Sequence, residues 1–226
     1  MSIVSNSDFI ERRNAIKPTL ESVGIETQAI LIGGAGLALY GINTSRGIPE
    51  QPISAGGFLH RFDVDVILPE DEFKIFRDRC RQLRGADVGF GIGNDMRIEL
   101  EASEEGLHPL HALMVDSEML ENERIDVIDG VRALSPGAIA KSKNHRGEVR
   151  DTVGLILGHE DAYHQGVVAV VDTAWREQVG VALARTRKLQ SNDPQRLQVI
   201  MKDFLTPVRF AELVYIDFDD PAFEGM

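Results

Sequence analysis

A chain of 226 residues with 43% hydrophobic content is long enough to bury one large core or two small ones. Its 24 Lys and Arg against 36 Asp and Glu leave a net charge of −12, which sets most of the surface against bare nucleic acid and argues against a general DNA-binding protein. A metal–nucleotide substrate brings its own positive charge and stays compatible with that balance.

The single cysteine, Cys80, excludes an internal disulfide and reads as a small buried hydrophobe. No apolar run approaches the roughly 20 residues of a membrane-spanning helix. The start MSIVSNSDFIERR lacks a signal-peptide pattern, so a soluble, cytoplasmic protein without a membrane partner is expected.

In chain order, Ser7 to Ser22 has a capping Ser or Asp and apolar Phe9, Ile10, Ile16 and Leu20, which predicts a first helix. TQAILI predicts a short apolar strand running into Gly33-Gly34, after which Ala35, Leu39 and Ile42 fall at helical spacing. Residues 43–58 are rich in Gly, Pro and Ser and predict a long loop, a kind that is usually functional or mobile. FDVDVIL is a strand by its period of two: Phe62, Val64 and Val66 share one face, Asp63, Asp65 and Ile67 the other. PEDEFKIFRDRCRQL predicts a helix with acids in its first turn and Phe73, Phe76, Cys80 and Leu83 on one side.

ADVGFGIGNDMRIELEA predicts a hairpin turning at Asn94-Asp95, and HALMV, RIDVI and DGVRAL predict further strands with a second tight turn at Asp129-Gly130. From Ser135-Pro136 the pattern is helical. Residues 136–157, 170–189 and 195–205 are predicted helices, the last opened by Asp193 and Pro194. Trp175, Val179 and Ala182 form a core stripe, and the acidic tail YIDFDDPAFEGM is expected to be partly loose. There is no internal repeat. The boundaries are an α/β domain over residues 1–134 and a mainly helical domain over 135–226.

Asp63 and Asp65, spaced i, i+2 on a strand, put two carboxylates on one face about 7 Å apart at the backbone. Aspartate is a poor strand former and two on one face repel, so a cation is expected to offset the cost; removing one acid should then raise metal-free stability. Magnesium, which takes hard oxygen ligands and leaves positions for phosphate, fits. Upstream, a glycine pair opening a helix exposes N–H groups that bind phosphate. Each piece alone is ordinary, a solvent-facing strand and a tight turn; their order carries the reading. GFGIG lacks the spacing and the following helix of a dinucleotide fingerprint, and the six histidines, among them His108 and His111 three apart, form no zinc pattern.

The order GGAGLALYGI … DVDV resembles the nucleotidyltransferase superfamily, with its glycine-opened helix and D-x-D strand. LSPGAIAKSKNHRGEVRDTVGLI, Leu134 to Ile156, is similar to the segment after the catalytic domain in AbiEii-like and related small nucleotidyltransferases; Lys143, Arg146 and Arg150-Asp151 match its basic residues and basic-Asp pair. The resemblance covers residues 29 to 157. It implies an α+β fold, a polymerase-beta-like mixed sheet with flanking helices followed by an α-helical domain. It implies transfer of NMP from an NTP to a hydroxyl acceptor (RNA, protein or small molecule), with Mg²⁺ or Mn²⁺ on Asp63 and Asp65. Nucleotide contacts would come from Gly33, Gly34, Lys143, Arg146, Asp151 and Arg61, in a cleft between the two domains.

The chain departs from the family at Arg61, where Ser or Thr is usual, and at Gly154, where a second Asp often stands. A third carboxylate from a neighbouring strand is expected at Asp116 first, then Glu99 or Asp126. Lys143 is the expected phosphate clamp, in a place where it packs little. The alternative is a member that keeps the fold as a binding or regulatory module, for example a toxin–antitoxin component.

Overall fold

The computed structural model describes residues 6–44, 63–80, 86–87, 97–100, 107–192, 195 and 218–226, with the backbone alone at 6–8, 86–87, 97–100 and 149–150. The chain divides into two compact units: Ile10–Leu39 with Phe62–Ser135, and Met1–Phe9 with Tyr40–Arg61 and Pro136–Met226.

The first unit is built on a mixed sheet. Its strands are β1 (Ile30–Leu31), β2 (Val64–Pro69), β3 (Ala86–Asp87), β4 (Arg97–Leu100), β5 (Leu110–Val115), β6 (Ile125–Ile128) and β7 (Val131–Leu134). The order across the sheet is β3-β4-β5-β2-β1-β7-β6, which makes β2 the central strand of seven among the described residues. β2 runs parallel to β5 and antiparallel to β1, and β1 runs parallel to β7. Alternation on β2 is as the period of two requires: Val64, Val66 and Leu68 are fully buried while Asp65 is not. β6 and β7 join through Asp129 and Gly130 at φ 52° and 80°, the left-handed pair of a type I′ hairpin turn.

Helix α1 (Asn6–Ser22) buries Ile16 and Leu20. It is tied to the run before β5, because Thr19 Oγ1 accepts from His108 N at 3.1 Å and His108 Nε2 donates to Arg12 O at 3.0 Å. Burial pushes the His108 imidazole down. Helix α2 (Gly33–Leu39) follows β1 directly, and α3 (Glu70–Cys80) turns Phe73, Phe76 and Cys80 inward.

The second unit differs from the expectation in four places. The predicted helix 136–157 is two helices, α5 (Pro136–Arg146) and α6 (Val149–His164), after the four-residue α4 (Ser117–Leu120) of the sheet unit. Gly147 at φ 70° and extended Glu148 stop one and start the other. The helix predicted at 170–189 is α7 (Thr173–Asn192). Asp172 sets its start by accepting from Trp175 N at 3.0 Å.

The end of the tail is docked rather than loose. His159 Nε2 donates to Ala222 O at 2.8 Å, His164 Nε2 meets Asp220 Oδ2 at 3.1 Å, and the Arg187 guanidinium lies 4.4 Å over the Phe218 ring. The turn at Asn94-Asp95, the helix 195–205 beyond Gln195 and most of the loop 43–58 lie outside the described residues. No described helix is long and apolar enough to cross a membrane.

Lys143 is buried, contrary to the expectation that it packs little. Its side chain is 11% exposed, and Nζ donates to Asp151 Oδ1 at 2.7 Å. Arg146 Nη2 lies 2.9 Å from Asp151 Oδ2, close enough to pair but misaligned for a hydrogen bond, with its own side chain 48% exposed. Removing one partner of a buried pair strands the other charge, whereas an exposed pair contributes little. Lys143→Ala should therefore cost about 3 kcal/mol in urea denaturation, against less than about 1 kcal/mol for Arg146→Ala. Equal losses would show that Asp151 relies on both partners alike.

Candidate metal centre

The site lies within the sheet unit. Asp63 sits one residue before β2 and Asp65 in it, so both point away from the valine face, at 37% and 31% side-chain exposure. The parallel pairing of β2 with β5 sets His111 directly across from Asp65. His111 Nδ1 lies 3.0 Å from Asp63 Oδ2 and 3.3 Å from Asp65 Oδ1. Both partners are acceptors, so Nδ1 carries the proton and is shared between them.

The hydrogen bond to Asp63, then that to Asp65, hold the His111 imidazole up at about 9, against a smaller downward pull from burial. The two aspartates are therefore not a bare like-charged pair: the fold places an imidazolium between them. This reverses the expected effect of losing one acid, because Asp63→Asn now removes an ion-pair partner along with a repulsion.

Gly33 bounds the other side of Asp65. It stands at φ 62°, where L side chains rarely go, and a Cβ built there would lie 2.6 Å from Asp65 Oδ2. Ile32 N donates to Asp65 O at 3.0 Å, which fixes the approach of the glycine turn to the strand. Gly34 follows as the second residue of α2. Asp65 is thus flanked by His111 on Oδ1 and by glycine backbone on Oδ2.

Ligand atoms of Asp63, Asp65 and His111 all lie within 4.8 Å of one another, the only such group of three among the described residues. Two carboxylates and an imidazole suit a divalent ion, and the glycine leaves room where any side chain would intrude, so the residues present fit one.

The candidates for a third carboxylate fall in different places. β4 is antiparallel to β5 with Glu99 across from His111, so Asp65, His111 and Glu99 occupy one row over three strands. Asp116 is at the far end of β5, about 16 Å along the strand from His111 at ~3.3 Å per residue. There it caps α4, accepting from Glu118 N at 3.0 Å. Asp126 is on edge strand β6, bridged to Arg124 Nε at 3.0 Å. Neither is brought to the pair. Lys143, Arg146 and Asp151 form their own cluster in the helical unit, and Arg61 lies outside the described residues. His111 was the residue without a sequence signal: only the β2–β5 register puts it beside the acids.

Among solved structures, a candidate nucleotidyltransferase from H. pylori aligns over 94% of this chain and 93% of its own, with TM-score 0.50 and 14% identity. JHP933 from Helicobacter pylori aligns over 95% and 91%, at TM-score 0.46 and 13% identity. The Cid1 poly(U) polymerase aligns over 70% and 41%, at 0.33 and 12%. No family model and no curated protein matches the chain. The first of these likenesses, with the mixed sheet and its flanking helices, gives the chain an α+β nucleotidyltransferase-like fold.

His111 makes a pH-dependent contribution to stability. Its folded value is raised, so the stabilisation is complete below the unfolded value near 6.5 and is lost as pH rises through about 9. In metal-free protein, His111→Gln should lower Tm most near pH 6, with the gap to wild type closing by pH 10. A gap that does not change with pH would mean that Nδ1 is not an ionised partner of the two acids.

Proposed function

We propose that the chain is a nucleotidyltransferase, moving NMP from an NTP to a hydroxyl acceptor with a divalent ion, Mg²⁺ or Mn²⁺, held at Asp63 and Asp65. The observation that carries this reading is the convergence of the two carboxylates and His111 beside a glycine where any side chain would be strained, at the central strand of a nucleotidyltransferase-like sheet. When bound, the ion supplies charge neutralisation for the triphosphate and acidifies the attacking hydroxyl.

The residues of the chain position the reaction. Asp65 projects from β2 and Asp63 from the residue just before it, so the backbone sets where the two carboxylates start from. Gly33 and Gly34 open α2 next to Asp65 with backbone N–H groups that suit phosphate oxygens. Glu99, in the same row as His111, is the acid best placed by register to take the acceptor proton. The acceptor would be RNA, a protein or a small molecule; the net charge of −12 leans away from a large nucleic acid.

A second reading, a nucleotidyltransferase-fold regulatory module without catalysis, draws on His111, whose ring already offsets one of the pair's two negative charges. Calorimetry with each NTP, with and without Mg²⁺, separates the two, and mass spectrometry of candidate acceptors then identifies the product. Metal-dependent NTP binding should appear in the wild type and fall by tenfold or more, as an order-of-magnitude estimate, in Asp63→Asn and Asp65→Asn. Gly33→Ala should weaken it as well, and lower stability by roughly 1–2 kcal/mol for the left-handed backbone alone. A folded Asp65→Asn variant that binds metal and NTP as before overturns the enzyme reading.

A further inference from the structure

The donor set bears on which ion the centre selects. A purely carboxylate site suits magnesium, which demands oxygen ligands and gives up its waters reluctantly. Here the third donor is nitrogen, and imidazole binds the less hard first-row divalent ions more readily than it binds magnesium. We propose that Asp63, Asp65 and His111 form a mixed oxygen–nitrogen site that selects a divalent transition ion such as Mn²⁺ over Mg²⁺, with His111 Nδ1 as a direct ligand. The assignment rests on the metal-assisted reading proposed above and deepens it.

Three observations support it. The first is geometric. Ligand atoms about 2.1–2.2 Å from one ion stand about 3.0 Å apart at a right angle and about 3.5 Å apart at a tetrahedral angle. His111 Nδ1 stands 3.0 Å from Asp63 Oδ2 and 3.3 Å from Asp65 Oδ1, within that span, so an ion can take the place of the Nδ1 proton without a large rearrangement.

The second is rigidity. β5 is paired on both sides, with His111 registered to Asp65 of β2 and to Glu99 of β4, so the imidazole comes from a strand held in the sheet interior. A site fixed in this way discriminates by donor type, since it cannot easily swing the nitrogen out and substitute water. The third is access. Both carboxylates keep about a third of their surface exposed, which leaves an entry path for an ion, while Gly33 closes the far side of Asp65 with backbone.

The test uses the full chain at one fixed pH. Calorimetric titration with Mn²⁺ and with Mg²⁺ gives the selectivity ratio, and pulsed EPR of the Mn²⁺-loaded protein detects ¹⁴N of a directly bound imidazole. Wild type should bind Mn²⁺ about tenfold or more tightly than Mg²⁺, with a ¹⁴N coupling in the spectrum. His111→Asp should lose the coupling and bring the ratio towards one while still binding Mg²⁺. His111→Asn, of similar shape, serves as the second variant if His111→Asp does not fold, and should also lose the coupling. Bound Mn²⁺ without ¹⁴N coupling, or a ratio unchanged in the variants, overturns the proposal and leaves the metal-assisted reading standing. Failure of both ions to bind the wild type overturns both.

Discussion

The sheet unit is organised around one shared proton. Asp63 and Asp65 share a face of a central strand because β-structure alternates, and that placement would set two negative charges against each other. A single imidazole N–H, 3.0 Å from one carboxylate and 3.3 Å from the other, compensates both. Those two attractions act over shorter distances than the carboxylate–carboxylate repulsion needs to, and the ligand atoms of all three residues gather within 4.8 Å. The imidazole thus holds the two acids together while keeping their donors close enough to accept an ion.

That compensation depends on register. A one-residue slip between β2 and β5 would turn His111 into the core and bring Leu110 or Ala112 out beside the acids. The valine and leucine side chains of β2, buried on the opposite face, penalise such a slip heavily. Core packing on one face of the sheet thus sets the chemistry on the other. The glycine turn has the same dependence: Leu31 pairs with Val66, and Ile32 N bonds Asp65 O, so Gly33 reaches the carboxylate only because β1 lies where it does.

Much of this was legible in local sequence. The alternation of DVDV, the glycine pair before a small-residue helix, the inward Phe73 and Phe76, and the turn at Asp129-Gly130 are all short-range patterns, and each forms as its pattern predicts. The features that were not legible arise between distant segments. His111 acquires its partners 46 residues away in Asp65, through strand pairing that no local period encodes. Lys143 was expected to pack little because its partner comes from the next helix, after a break that Gly147 introduces into what reads as one periodic run. Asp116 carried the expected signal of an acid at a strand end, but a helix cap gives the same signal.

The docked C-terminal turn also has an optical consequence. Trp175 is the only tryptophan of the chain and is fully buried, and its Nε1–H donates to His159 Nδ1 at 2.9 Å. The opposite nitrogen of that imidazole is committed to Ala222 O, so the ring is held in the neutral Nε2–H tautomer, and burial pushes its protonation further down. One imidazole therefore connects the sole indole to the last residues of the chain. Undocking of the tail frees the histidine ring, wets the indole and changes its emission. The intrinsic fluorescence of this protein is thus a gauge of one peripheral turn, and a fluorescence-detected transition need not coincide with unfolding of the sheet that carries the aspartates.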